Sequence, residues 1–247
     1  MTPLKSTARF AGILYLVIVL ASVYGHMYVP SVIFVRGDAV GTINNIVTNE
    51  FLFRSCIVVG LIETTAFLLL ALTLYKLLKG INGNQAKLML TLMAVQIPLA
   101  LVFTVIKFMA LMIVKNDVPG LVPPGEVPAI AVMLLNTMRY GNTVLAMFAA
   151  LWLLPLGLLV FRSRIIPQTL GILLIIAGTG SVVYGLIAVL LPGYGQSPIP
   201  AFIFFALGEI PIMLWLLIKG VKEYVVIEII SETKEVHKAA GINIVAG

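Results

Sequence analysis

Charge is scarce in this sequence. Asp, Glu, Lys and Arg make up 11% of its 247 residues, against about 25% in soluble domains. Too few polar side chains are present to cover a water-facing fold. Cysteine is almost absent: Cys56 is the only one and lies in an apolar run, which excludes an internal disulfide and a cysteine-based metal site. The two histidines are His26 and His237. The topology below puts them on opposite sides of a membrane, so neither a bis-histidine haem nor a multi-histidine zinc hydrolase fits. No G-x-S-x-G, P-loop or H-E-x-x-H motif occurs. Short alternating strands, the mark of a membrane β-barrel, are also missing. No metal and no cofactor is expected.

What fills the chain is hydrophobic sequence, 61% of it, with a mean hydropathy of +1.12. The runs are long and unbroken, which predicts an all-α, polytopic membrane protein built as a six-transmembrane-helix bundle. The six helices are expected at about 9–28, 50–78, 85–114, 138–161, 167–191 and 201–220. Short surface helices are expected at about 38–48, with Asp38 as cap and Val40, Ile43, Ile46 and Val47 on one side, and at about 128–136. Residues 1–224 then form one transmembrane domain and 225–247 a cytoplasmic tail. The apolar run after Lys5 and Arg9 has no small-x-small cleavage site and reads as a retained first helix. Gly12, Tyr15, Ser22 and His26 share one face of it.

The net charge of +6 does not point to nucleic acid, because the basic residues cluster at helix ends. Lys5, Arg9, Lys76, Lys79, Lys87, Arg162, Arg164, Lys219, Lys222, Lys234 and Lys238, eleven of the sixteen, fall on one side. The positive-inside rule places that side, and both termini, in the cytoplasm. The expected partners are the lipid bilayer, a small-molecule or lipid ligand, and a second copy of the chain.

A charge inside a span is costly and faces a partner, a cavity or water. Glu63 and Glu209 lie near the midplane, with Gln96 close to that depth, and Lys107 and Arg139 in the outer half. Together with Asn142 they define a candidate outward-facing polar pocket. In it the glutamates meet a proton or a cationic group, and Lys107 and Arg139 meet an anionic or lipid-like one. The competing expectation pairs Glu63 with Lys107, or Glu209 with Arg139, solely to fix helix register. A third uses Glu63 or Glu209 as acid or base in a lipid- or isoprenoid-modifying enzyme, and a fourth has no ligand at all. His26 reads as a surface histidine, and Arg54 as the i, i+4 partner of Glu50. In the fifth helix Gly171, Gly178 and Gly185 recur every seven residues, and Ser181 lies between them, a seam suited to close helix packing.

Several motifs occur in a fixed order: ARFAGILYL, NNIVTNEFLFR, LTLYKLLKGIN, RYGNTV, VFRSRIIPQTLGILL, LLPGYG and GEIPIMLWLLIKGVK. In that order, over about Ala8 to Lys222, the chain resembles a bacterial and archaeal membrane family, the domain of unknown function four-three-eight-six. The resemblance implies one membrane domain in a prokaryotic cytoplasmic membrane. It implies no activity or substrate.

Overall fold

The computed structural model describes residues 3–35, 37–117, 119–191 and 199–222. The expected tail at 225–247 lies outside these residues, as does the LLPGYG loop beyond Leu191. Among the described residues every regular element is helical. The first apolar stretch forms α1 (Pro3–Ser22), a π-helical turn (Val23–Tyr28) and α2 (Val29–Ile33). The turn has a local cause. Pro30 has no N–H, and its ring would collide with the carbonyl of His26 in a regular helix. The backbone widens ahead of it, and the Val29 N–H reaches back five residues to the Tyr24 carbonyl.

A surface helix, α3 (Ala39–Thr48), follows. Asp38 caps it by accepting from the Gly41 N–H at 2.8 Å. Ile46 is buried and Ile43 packs beside it, but Val40 and Val47 are exposed rather than sharing that apolar side. Asn45 pins α3 down: its Nδ2 donates to the last carbonyls of α2, Val32 and Ile33, at 3.3 and 3.2 Å.

The remaining helices are α4 (Glu50–Leu78), α5 (Gly83–Ala94), α6 (Gln96–Lys115), α7 (Val127–Ala149), α8 (Leu153–Ser163), α9 (Gln168–Leu190) and α10 (Ile199–Ile218). Two breaks fall where prolines deprive a carbonyl of its donor. Pro98 does so to Ala94, and α5 gives way to α6 at Val95. Pro155 does so to Leu151, which sits in a 3₁₀ turn (Ala150–Trp152) between α7 and α8. That corrects the reading of the fourth stretch. No break separates a short helix at 128–136 from a second starting at Met138; α7 runs unbroken from Val127 and the interruption comes at Pro155. Pro211, by contrast, is carried inside α10.

Among the described residues five helical stretches are long and apolar enough to cross a membrane: Leu4–Ile33, Glu50–Leu78, Gly83–Lys115, Val127–Ser163 and Gln168–Leu190. Numerous large apolar side chains point outward, among them Phe51, Leu20 and Val105. A water-soluble monomer does not display this much apolar surface; a multi-pass membrane protein presents it to lipid.

The helices close into a ring in which α1 packs on α4, α4 on α5, α5 on α8, α8 on α9, α9 on α10, and α10 back on α1. The pair α6 and α7 packs together at the other end, under α3. The interior is divided into two apolar cores. One, at the end carrying the N-terminus, joins Tyr15, Leu70, Leu74, Met89, Trp152, Leu156 and Leu216. The second, beneath α3, joins Val29, Ile33, Ile46, Phe53, Cys56, Leu111 and Leu135. The α8–α9 crossing is tight because both helices place glycine there. A Cβ on Gly171 would meet the Phe161 nitrogen and the Gly157 carbonyl at 2.6 and 2.7 Å, closer than any real Cβ approaches. The N-terminal end is tied together by Arg9, whose Nη2 donates to the Ile218 carbonyl at 3.2 Å, and by the Lys222 N–H on the Ile165 carbonyl at 2.9 Å.

Candidate functional site

Between the two cores the polar side chains gather. Glu63 projects from the middle of α4 toward the first span. Ser22, the last residue of α1, donates its hydroxyl to Glu63 Oε1 at 2.6 Å. His26, inside the π-helical turn, places Nδ1 4.0 Å from Glu63 Oε2. The first span thus hydrogen-bonds one carboxylate oxygen and sets an imidazole beside the other. Ser22 and His26 are four residues apart, so one face supplies both. Glu63 is mostly covered, its side chain 21% exposed, while His26 is 50% exposed. The carboxylate is held yet approachable past the imidazole. The order is Ser–Glu–His. A hydrolytic triad needs the serine on the imidazole, so this cluster is not an acyl-transfer site; it is a seated carboxylate.

Two turns along α4, about 10 Å nearer α3, lies a second cluster. Lys107 Nζ donates to Cys56 Sγ at 3.7 Å, and that thiol donates to the Gly25 carbonyl at 3.8 Å. Beside them Tyr24 and Ser55 share a hydrogen bond of 2.6 Å between their hydroxyls. A cavity of about 30 Å³ opens at Lys107, Cys56 and Gly25, walled by apolar side chains. At the start of α4, Glu50 is bound by Arg54 at 2.7 Å and by Lys115 of α6 at 2.8 Å.

The residues expected to form one pocket are distributed differently. Glu63 is paired with Ser22 and His26, and Lys107 with Cys56, so these two do not make the expected register-fixing ion pair. The reason is depth: Lys107 reaches the level of Cys56, two turns from Glu63. Gln96, the first residue of α6, is buried and turns back onto α5, donating Nε2 to the Leu92 carbonyl at 2.7 Å. Its amide occupies a carbonyl near the α5–α6 break instead of facing a ligand. Arg139 lies exposed on α7, its guanidinium 5.1 Å from the Tyr140 ring centre. Asn142 is half-buried one turn further on.

Glu209 is half-buried on α10 and interacts electrostatically with Tyr15 of α1. The Tyr15 ring lies 6.3 Å from Trp152, whose indole takes Phe67 edge-on at 5.9 Å. The Tyr15 hydroxyl is buried without a hydrogen-bond partner among the described residues. Gly171 and Gly178 are buried against α8, Gly185 is buried, and Ser181 is half-buried.

Sequence reasoning missed His26 and Ser22 as partners of Glu63, and Cys56 as the partner of Lys107. The shared face of Ser22 and His26 was the available signal. Among the described residues no three His, Cys, Asp or Glu side chains gather into a metal site.

No curated protein and no solved structure matches this chain. One family model does, over residues 10–220, from within α1 to just past the end of α10. With most of its length matched, the chain belongs to the family described as Domain of unknown function (DUF4386).

Proposed function

We propose that this is a six-span protein of a prokaryotic cytoplasmic membrane, both termini cytoplasmic, that binds or transports a small ligand whose cationic group, or a proton, sits at Glu63. The sixth span is α10. Its 20 residues reach about 30 Å at 1.5 Å per residue, the thickness of the hydrocarbon core. The orientation rests on Arg9, Arg162, Lys219 and Lys222 at the N-terminal end of the bundle, where the positive-inside rule places the cytoplasm.

The observation that carries the reading is the seating of Glu63 between Ser22 and His26. A carboxylate at mid-span is expensive unless partnered or hydrated. A carboxylate present only to fix register needs no half-exposed histidine beside it. The π-helical turn supports the reading further, since such turns are rare and recur at functional sites.

The test is the thermal midpoint of wild type and Glu63→Gln in detergent against sodium, ammonium, tetramethylammonium and choline, at matched ionic strength. A saturable rise in the wild type that vanishes in Glu63→Gln supports the reading. Equal responses in the two proteins sink it and return Glu63 to a purely structural role.

A further inference from the structure

The two oxygens of Glu63 are held differently. Oε1 accepts from the Ser22 hydroxyl at 2.6 Å. Oε2 accepts no hydrogen bond among the described residues; His26 Nδ1 stands off at 4.0 Å, outside hydrogen-bond range. A neutral imidazole at that distance leaves Oε2 open to an incoming cation. A protonated imidazole is itself a cation beside the carboxylate and forms an ion pair with it. Imidazole is the side chain that changes charge between about pH 5 and pH 8. His26 is half-exposed, so a proton reaches it without the bundle opening.

The surroundings leave that role to His26. The elements packed on the π-helical turn are α1, α2 and α4. From α4, Glu63 faces His26, and Cys56 gives its S–H to the Gly25 carbonyl. Lys107 of α6 ends on that thiol, two turns or about 10 Å from Glu63. The α2 segment carries no ionisable side chain. On α1, Tyr15 is buried in the N-terminal core, and Lys5 and Arg9 lie at the far end. On the turn itself, the Tyr24 hydroxyl is bonded to Ser55, and the Tyr28 ring packs on the Tyr24 ring at 5.7 Å. Among the described residues His26 is the one cation-forming group within ion-pair distance of Glu63.

We propose that His26 is a proton site that exchanges against the cation at Glu63: the cation binds when the imidazole is neutral, and its binding expels the imidazole's proton to water. The proposal rests on Glu63 as the seat of the cation. Such coupling is reciprocal, so the factor by which the proton weakens cation binding is the factor by which the cation weakens proton binding. The sign follows from the charges. Cation affinity is full where imidazole is neutral and is lost as pH falls and it becomes charged. Couplings between sites run to about 5–150-fold. Solvent screens a pair with one half-exposed partner, so the lower part of that range is expected.

The experiment titrates the full chain in detergent with sodium, ammonium, tetramethylammonium and choline in turn, at constant ionic strength, at the two ends of the imidazole range, about pH 8 and about pH 5. Affinity is read from the saturable rise in thermal midpoint. The wild type is expected to bind at least about fivefold more weakly at the acid end. His26→Gln is expected to bind with one affinity at both pH values, whatever that affinity is. His26→Lys fixes a cation beside Glu63 and is expected to bind weakly at both, which keeps the test readable should His26→Gln fail to fold. Three results overturn the proposal while the reading of Glu63 stands: equal wild-type affinity at the two pH values, an undiminished pH dependence in His26→Gln, which would give the proton to Glu63 itself, or wild-type affinity in His26→Lys at the alkaline end. A wild type that responds to none of the four cations at the alkaline end sinks the reading of Glu63 and the proposal with it.

Discussion

Replacing Ser22 by alanine removes the hydroxyl that donates to Glu63 at 2.6 Å and little else. Hydrogen bonds to charged groups contribute about 1.5–3 kcal/mol. The Glu63 side chain is 21% exposed and His26 stays beside it, so part of the carboxylate's solvation survives. The expected loss is at the low end, about 1.5–2 kcal/mol. For a chain of this size 1 kcal/mol corresponds to about 2–4 °C in midpoint on the scale of soluble domains, giving a fall of several degrees. A double-mutant cycle isolates the contact: wild type, Ser22→Ala, Glu63→Gln and the double variant, unfolded reversibly in mixed micelles. In the double variant the hydroxyl and the charge are both gone, so the single losses must not add. A coupling of about 1–2 kcal/mol is expected for groups in direct contact. Additivity within about 0.3 kcal/mol, the behaviour of independent sites, refutes the pairing and with it the account of how Glu63 is held.

Other expectations follow from the packing. Trp152→Ala removes a side chain that is 3% exposed and packs against the Tyr15 and Phe67 rings; a loss of about 3–5 kcal/mol is expected, and an unchanged unfolding midpoint would contradict the N-terminal core. Gly171→Leu forces a side chain into the backbone of Phe161 and Gly157; a loss of about 1–3 kcal/mol or more, read as a lower midpoint, is expected, and wild-type stability would show that α8 and α9 are not in close contact. Pro98→Ala restores the donor that the Ala94 carbonyl lacks and straightens the α5–α6 junction. Spin labels at the exposed positions Leu88 and Met109 should move apart, and an unchanged separation would assign the break to packing rather than to proline.

The helices were legible because each apolar run is long and bounded by turn residues, as at Asn82, which caps α5 through the Gln85 N–H at 3.0 Å. Asp38 was legible as a cap for the same local reason. Arg54 and Glu50 follow from i, i+4 spacing alone. The polar pairings were not legible, because they depend on how far one helix slides and rotates against another. Lys107 was legible as lying in the outer half, but not as reaching the level of Cys56, beyond pairing distance of the mid-span Glu63. His26 looked like an interface residue because the sequence extended the first helix only to Tyr28; Pro30 in fact lies within a continuing helix and widens the backbone around His26. The break in the fourth stretch was misplaced because the polar run Asn136 to Arg139 resembles a helix end. Thr137 resolves that locally, its hydroxyl donating to the Met133 carbonyl at 2.9 Å, so the helix passes through.

The contact between His26 and Glu63 is the most direct test of the account. With two histidines in the chain, labelling histidine with ¹⁵N and glutamate with ¹³C in membrane-embedded protein leaves few signals to assign. A dipolar coupling between His26 Nδ1 and the Glu63 carboxyl carbon, absent in Glu63→Gln, is the predicted result and matches a nitrogen-to-oxygen distance of 4.0 Å. No coupling in the wild type would mean that Glu63 is not seated against the π-helical turn, and the functional reading built on it would fall.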